Sequence, residues 1–354
     1  MNSHMALPTN RVAWLIKADT PLEVSDAPMP TPGLGELVVH NVVVGMNQVD
    51  SWMLEAGVFV KQWPSIIGND VAGTVYAVGP DVQRFRKGDR VIGHGMTLVT
   101  GRPEDGAFAL YTVVRADRAA LLPNSIAFTD GVVIPLAVGA AACALFRQEP
   151  GEVMPGVPLT VLGLPYPSVL HPVTSSGKTL VVYGGSSTVG SMVTQLATAA
   201  GVTVITITGA HNFALSQRCG AAQVIDHKDP AIVDKVVAAV AKCGAGFIGL
   251  IDAIATPDTY PIALAILAAL GSGHLACTHP PPADVPANVK ASMIYSVNDA
   301  SIPVFRDYLT PALEAGKLQC LPPPIVAGKG LECIQDAMRK LQAGVSAAKV
   351  VVEL

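Results

Sequence analysis

The chain has 354 residues, of which 50% are hydrophobic and only 14% charged, with a formal net charge of −4. That length supports two domains, each with a core of its own, and so apolar a composition excludes an extended disordered protein. No dense Lys/Arg tract occurs, which argues against a nucleic-acid or anionic-membrane partner and leaves a small organic molecule as the natural substrate.

The opening MNSHM lacks the charged-then-apolar pattern of a signal peptide and reads in part as a cloning scar. From residue 37 to 114, β-branched residues alternate with glycine turns in LVVHNVVVG, GNDVAGTVYAVG and GDRVIGHG, which predicts a mostly antiparallel, barrel-like β region. The longest apolar run, 131–146, contains Pro135 and Gly139, is too short to cross a bilayer comfortably, and predicts a buried helix. From about residue 127, Ala-rich segments alternate with short Val/Ile strands, as in a doubly wound parallel sheet. The fold class is therefore α/β, a barrel-like β domain followed by a doubly wound one. Strands are expected at 179–183, 202–208, 223–226, 249–252 and 273–277, and a helical segment at 331–343 leads into a terminal strand at 349–353. The PPP runs at 280–282 and 322–324 read as surface connectors.

The most informative stretch is TLVVYGGSSTVG at 179–190, an apolar strand running into a glycine-rich turn and then a helix. Gly185 would permit the tight turn, small Ser187 the approach of a pyrophosphate, and Gly190 close packing of helix on strand. The helix N-terminus, with Ser186, Thr188 and Val189, would aim its N–H groups at the phosphates. A nucleotide lacking a 2′-phosphate is usually held by an acid about twenty residues further on, yet no Asp or Glu occurs between Glu152 and Asp226. Thr208, His211 and Asn212 stand there instead, with Lys178 upstream and Arg218 downstream as phosphate partners, so NADPH is favoured over NADH. Six scattered cysteines with no CxxC pair indicate neither a disulfide framework nor a thiolate metal site, and point to reduced thiols in the cytoplasm.

VGMNQVD at 44–50, WPSIIGNDVAGTVYAVGPDVQRFRKGDRV at 63–91, the glycine turn, CGAAQVIDHKD at 219–229, GLECIQDAMRKLQAG at 330–344 and AAKVVVEL at the end together resemble the medium-chain dehydrogenase/reductase superfamily. Within it the chain is similar to the zinc-independent quinone oxidoreductases and enoyl reductases, and most like the fungal enoyl reductases that act in trans on a polyketide synthase. The resemblance implies a GroES-like catalytic domain from residues 1–126 and 300–354, and a Rossmann NADPH-binding domain from 127–299. It adds His227 and Lys349 to the cofactor set. Zinc-dependent relatives carry a Cys before a His-Thr-Asp sequence and a Gly-His-Glu triplet; here those positions resemble Asn47 and Gly68-Asn69-Asp70, and the Cys-rich loop after Gly95 is absent. Amides are poor zinc ligands, so no metal is expected. His40 and His94 read as hydrogen-bonded structural residues.

For an enoyl thioester, hydride adds at the β-carbon and a donor protonates the resulting enolate. Relatives place a Lys or Tyr shortly after the Asn-x-x-Asp sequence; this chain has SWMLEAGVF, with Trp52 and Phe59 near those positions. The donor is then Lys61, Tyr295 or Tyr166, or a water, or else the reaction is not an enoyl reduction. Asn47 could bond a substrate carbonyl and Asp50 serve as a buried acceptor, while Trp52, Met53, Phe59 and Val60 would suit a long apolar substrate, small or carrier-bound. Alternatives are a quinone or enone oxidoreductase and an NADPH-binding protein with a cyclase, isomerase or scaffold role. Monomer and homodimer both stand, the latter through 262–270 and the strand at 273–277.

Overall fold

The computed structural model describes residues 9–244 and 246–354, so the reading of MNSHM lies outside the described residues. The chain forms two compact units. The first takes the residues through Pro135 with Pro324–Val345 and Lys349–Leu354, and the second takes Leu136–Pro323 with Ser346–Ala348.

In the first unit the order is β1 (Asn10–Leu15), β2 (Glu23–Ala27), β3 (Glu36–Gly45), α1 (Gln48–Ala56), β4 (Ser65–Ile66), β5 (Asp70–Val78), β6 (Arg90–His94), α2 (Thr97–Thr100), β7 (Tyr111–Arg115), β8 (Ala119–Leu121) and α3 (Phe128–Gly131). The chain then enters α4 (Pro135–Phe146), a helix buried from Leu136 to Phe146. By length and composition residues 128–146 could cross a membrane, but 78% of that apolar window is buried inside the protein, as for a core helix.

The second unit continues with a short hairpin, β9 (Glu152–Met154) and β10 (Val157–Pro158), then β11 (Lys178–Tyr183), α5 (Thr188–Ala199), β12 (Thr203–Thr208), α6 (Phe213–Arg218), β13 (Gln223–Asp226), α7 (Ile232–Cys243), β14 (Gly246–Asp252), α8 (Tyr260–Ala269), β15 (Gly273–Cys277), β16 (Val289–Met293) and α9 (Leu309–Glu314). Its six parallel strands lie in the order β13-β12-β11-β14-β15-β16, the doubly wound arrangement with its switch point between β11 and β14. Side chains alternate between two covered faces, which is why these strands read as continuous apolar runs. Val181, Ile205, Ile207, Leu250 and Leu275 share one core with Val236 of α7 and Ile266 and Leu267 of α8. Each is worth about 1.5–3 kcal/mol in burial.

The chain returns to the first unit through β17 (Pro324–Lys329), α10 (Ile334–Gln342) and β18 (Lys349–Glu353). One sheet runs β17-β18-β3-β5-β6-β8 with β7 also on β3, and a second runs β2-β1-β4. Three expectations are corrected. Residues 300–323 join the second unit, because Phe305, Leu309 and Leu313 are buried and Gln195 of α5 clasps Gln319 through both ends of its amide, at 3.2 and 2.8 Å. The first crossing falls at Pro135 rather than at residue 126. Strand β15 is hydrogen-bonded on both sides, so it offers no free edge to a second copy, and the edge of that sheet is β16.

Candidate active site

Two polar clusters stand out, one in each unit. In the second, β11 ends in the glycine-rich turn, and Gly184, at φ +79°, is the residue that makes it. Gly185 is glycine for a different reason: a Cβ there would lie 2.6 Å from the Thr206 side chain. A Cβ on Gly190 would lie 2.2 Å from the Gly184 carbonyl oxygen, so only glycine lets α5 start this close to β11. Ser187 is the N-cap of α5, its hydroxyl accepting the Gly190 N–H at 3.0 Å. The first turn of a helix leaves further N–H donors without intrahelical acceptors, and those of Thr188 and Val189 are the ones available to an anion.

Around this turn, Ser186 and Thr208 share a hydrogen bond of 2.6 Å, and Asn212 donates to Ser186 at 3.2 Å and to Ser346 at 3.1 Å. His211 meets the same Ser346 hydroxyl at 3.1 Å, and His227 donates its backbone N–H to the Thr208 carbonyl at 3.0 Å. The structure thus brings together Ser186, Thr208, His211, Asn212 and His227 at the carboxyl ends of β11, β12 and β13, where a dinucleotide binds on this fold. Ser346 joins them unanticipated, from a stretch with no motif. Arg218 does not join: its guanidinium donates to Gln319 at 3.0 Å, beside the second half of α5. Lys178 opens β11, at the end of the strand away from the turn. Exposed Lys228, next to His227, is the cation that sequence reasoning passed over.

Next to the switch point, Ala255 sits in the left-handed region at φ 53°. Asp252 accepts the N–H groups of Ile254 and Ala255 at 3.0 and 2.8 Å and the Thr259 hydroxyl, while Tyr260 and His279 converge on the Ala255 carbonyl at 3.0 and 2.8 Å. This loop is built with a rigidity that nothing in its sequence signals.

In the first unit the centre is Asn47, N-cap of α1, in a capping box with Asp50. The Asn47 N–H donates to Asp50 at 2.7 Å, and Asn69 donates to the other Asp50 oxygen at 2.6 Å. Asn47 Nδ2 donates to Asp70 at 2.8 Å, and the Lys349 ammonium donates to Asp70 at 2.7 Å and also to Asn47 Oδ1. Lys349 is 3% exposed and Asp70 fully buried. Its ammonium is thus engaged inside the first unit with Asp70 and Asn47. Breaking such a pair from one side costs about 3–5 kcal/mol, whereas neutral replacement of both partners is often tolerated. Burial pushes the Asp50 carboxyl up to about 7, against the two N–H donors that pull it down. His94, opposite Asp70 across the β5–β6 ladder, is fully buried with neither ring nitrogen hydrogen-bonded among the described residues, and burial pulls its imidazole down to about 4.

The other candidate donors lie elsewhere. Lys61 donates to the Val99 carbonyl on the surface of the first unit. Tyr295 belongs to the second unit, where its backbone N–H points at Cys143 Sγ (3.5 Å) and burial pushes its phenol up to about 12. Tyr166 packs its ring on Phe146 at 4.9 Å. Of the expected apolar lining, Met53 is fully buried core, while Trp52, Phe59 and Val60 remain partly exposed.

A doubly wound dinucleotide-type unit in one chain with a β-sheet unit that holds a buried polar centre is the two-domain architecture of the nucleotide-dependent oxidoreductases. Residues 33–124 match the family of the alcohol dehydrogenase GroES-like domain, and residues 188–299 that of the zinc-binding dehydrogenases. A dehydrogenase of Emericella nidulans, orsE, is 63% identical over 98% of this chain and 99% of its own. The trans-enoyl reductase himH of Aspergillus japonicus is 36% identical over 99% of each. A mycobacterial protein solved in complex with NADPH superposes with a TM-score of 0.69 at 24% identity, over 98% of this chain and 100% of that one. The chain belongs to the medium-chain dehydrogenase/reductase superfamily and is an oxidoreductase.

The zinc in the second family's description does not fit the residues here. The amides Asn47 and Asn69 are poor ligands, and the Lys349 ammonium already neutralises Asp70. Among the described residues no three His, Cys, Asp or Glu side chains gather as a metal-binding group.

Proposed function

We propose that the protein is a zinc-independent, NADPH-dependent reductase of an activated carbon–carbon double bond, acting in trans as an enoyl reductase in polyketide biosynthesis. The observation that carries this reading is the Asn47–Asp70–Lys349 centre, in which a charge-neutral lysine–aspartate pair fixes the Asn47 carboxamide as a hydrogen-bond donor without a metal, an arrangement that suits enolate stabilisation. The trans-enoyl reductase himH, similar over the whole chain, supports the same reaction class. NADPH fits the second unit, where the end of β12 presents Thr208, His211 and Asn212 and carries no carboxylate of its own, while Asp226 on the neighbouring strand lies 3.7 Å from His227. When bound, the cofactor supplies hydride. The protein's own part is to hold the nucleotide at the N-terminus of α5, to fix the substrate carbonyl, and to keep charge balanced around it. A cytoplasmic setting belongs to this reading, since all six cysteines are free.

The test is binding of NADPH and NADH followed by fluorescence, then NADPH consumption with a medium-chain enoyl thioester and with a simple quinone. Tighter NADPH binding and turnover of the thioester support the reading. Turnover of the quinone alone makes the protein a quinone oxidoreductase, and tight NADPH binding without turnover of either points to a non-redox role.

A further inference from the structure

Asn47 is held on three sides. Its backbone N–H donates to Asp50, its Nδ2 donates to Asp70 at 2.8 Å, and its Oδ1 accepts from the Lys349 ammonium. A free carboxamide flips end for end at little cost; a cation on the oxygen and an anion on the nitrogen allow one orientation only. The second N–H on Nδ2 has no partner among the described residues, and Asn47 keeps 7% exposure where Asp50, Asn69 and Asp70 keep none. An ammonium on an amide oxygen also draws density from the nitrogen and strengthens the remaining N–H as a donor, more so in a buried, low-dielectric setting. The backbone makes room for this arrangement: a Cβ on Gly45 would lie 3.0 Å from Lys349 Cε and 3.1 Å from Asp70 Cβ.

We propose that Lys349 is a positioning residue which, with Asp70, locks and polarises the Asn47 carboxamide so that its remaining N–H binds the substrate carbonyl oxygen as negative charge develops there. The proposal rests on the reductase reading. In that reaction hydride from the reduced nicotinamide forms the new C–H bond at the β-carbon, the π pair moves to leave an enolate whose oxygen Asn47 holds, and a proton from water completes the α-carbon. Lys349 gives up no proton and touches no reacting atom.

Lys349→Met alone would leave the buried Asp70 charge without its ammonium, and unfolding would mask the answer, so the decisive protein is Asp70→Asn/Lys349→Met, in which both charges go together. Two measurements are made on it. The first is hydrogen exchange of the Asn47 side-chain amide in 15N spectra, assigned by its loss in Asn47→Ala. The expected result is that protection of this amide drops about tenfold or more while backbone amides of β3 are unchanged. The second is turnover of NADPH with an N-acetylcysteamine enoyl thioester. Here kcat falls about 100-fold with NADPH affinity retained, and adding Asn47→Ala to the double variant lowers it no further. Unchanged exchange of the Asn47 amide, or wild-type kcat in the double variant, overturns the proposal. Should the wild-type protein leave the thioester untouched, the reductase reading fails, while the exchange measurement still decides whether Lys349 and Asp70 fix Asn47.

Discussion

At His94 a side chain that ordinarily titrates near neutrality is sealed beside a carboxylate and a lysine, and its imidazole is pulled down to about 4 because burial disfavours the charged ring. The native state therefore resists taking up a proton that the unfolded chain accepts below its ordinary value of 6.5. Stability from this residue is fully present above pH 6.5 and is lost as pH falls toward 4, a change of about 3 kcal/mol. Urea denaturation of wild type and His94→Leu at pH 7.5 and pH 5 should show a gap between the two proteins that shifts in favour of the variant at the lower pH. An unchanged gap would mean that the ring is solvated in the native state. Ser187 offers a second measurement at this scale. Ser187→Ala removes the N-cap of α5 and should cost about 1 kcal/mol in the absence of nucleotide, read by the same denaturation at pH 7.5. Residue roles such as these were only partly legible. The small residues of the glycine turn announced themselves, but Gly184 rather than Gly185 makes the bend, since either of two adjacent glycines can take the positive φ. Lys349 meets its partners 302 and 279 residues away in sequence, and no local pattern encodes such an approach.

Among the elements, five of the six parallel strands were the most legible, because strands covered on both faces are apolar and glycine or polar turns bound them; β16, whose VKASM carries the exposed Lys290, was missed. The segment after β14 was the least. Nothing in DAIAT suggests that Ala255 adopts φ 53°, which follows from Asp252 holding two backbone N–H groups and from Tyr260 and His279 anchoring the Ala255 carbonyl. A left-handed alanine costs about 1–2 kcal/mol, a strain glycine would relieve while adding entropy to the unfolded chain. Ala255→Gly should accordingly leave stability within about 0.5 kcal/mol, whereas Ala255→Val, branched where the backbone tolerates branching least, should cost about 2 kcal/mol or more. Thermal melts of the two variants side by side check the ordering, and a Val variant as stable as wild type would contradict the assigned conformation.

For the molecule as a whole, the two-unit plan was legible from the change between an alternating β pattern and a repeating strand–helix pattern. Its boundaries were less so. Residues 300–323 carry ordinary amphipathic character that would suit either unit, and only the Gln195–Gln319 clasp and the burial of Phe305 and Leu309 assign them. Because the residues gathered around the glycine turn, proposed to hold the nucleotide, belong to the second unit, NADPH should slow amide exchange in β11, α5 and β12 while leaving β3 and β5 close to their ligand-free rates. Hydrogen exchange with mass spectrometry at saturating nucleotide tests this, and uniform protection across both units would contradict it.

Strand β18 lies between β17 and β3, so the largest sheet of the first unit is joined through residues separated by nearly the whole chain. During synthesis the bulk of the second unit, through Pro323, is made before β18, and the Val43–Gly45 end of β3 must wait with its hydrogen-bonding edge open while some three hundred residues are added. The half of the molecule made first is thus the half finished last, and the interval in which a nascent chain is most exposed to chaperones, or to pairing with a neighbour, is set by translation speed rather than by the stability of the finished fold.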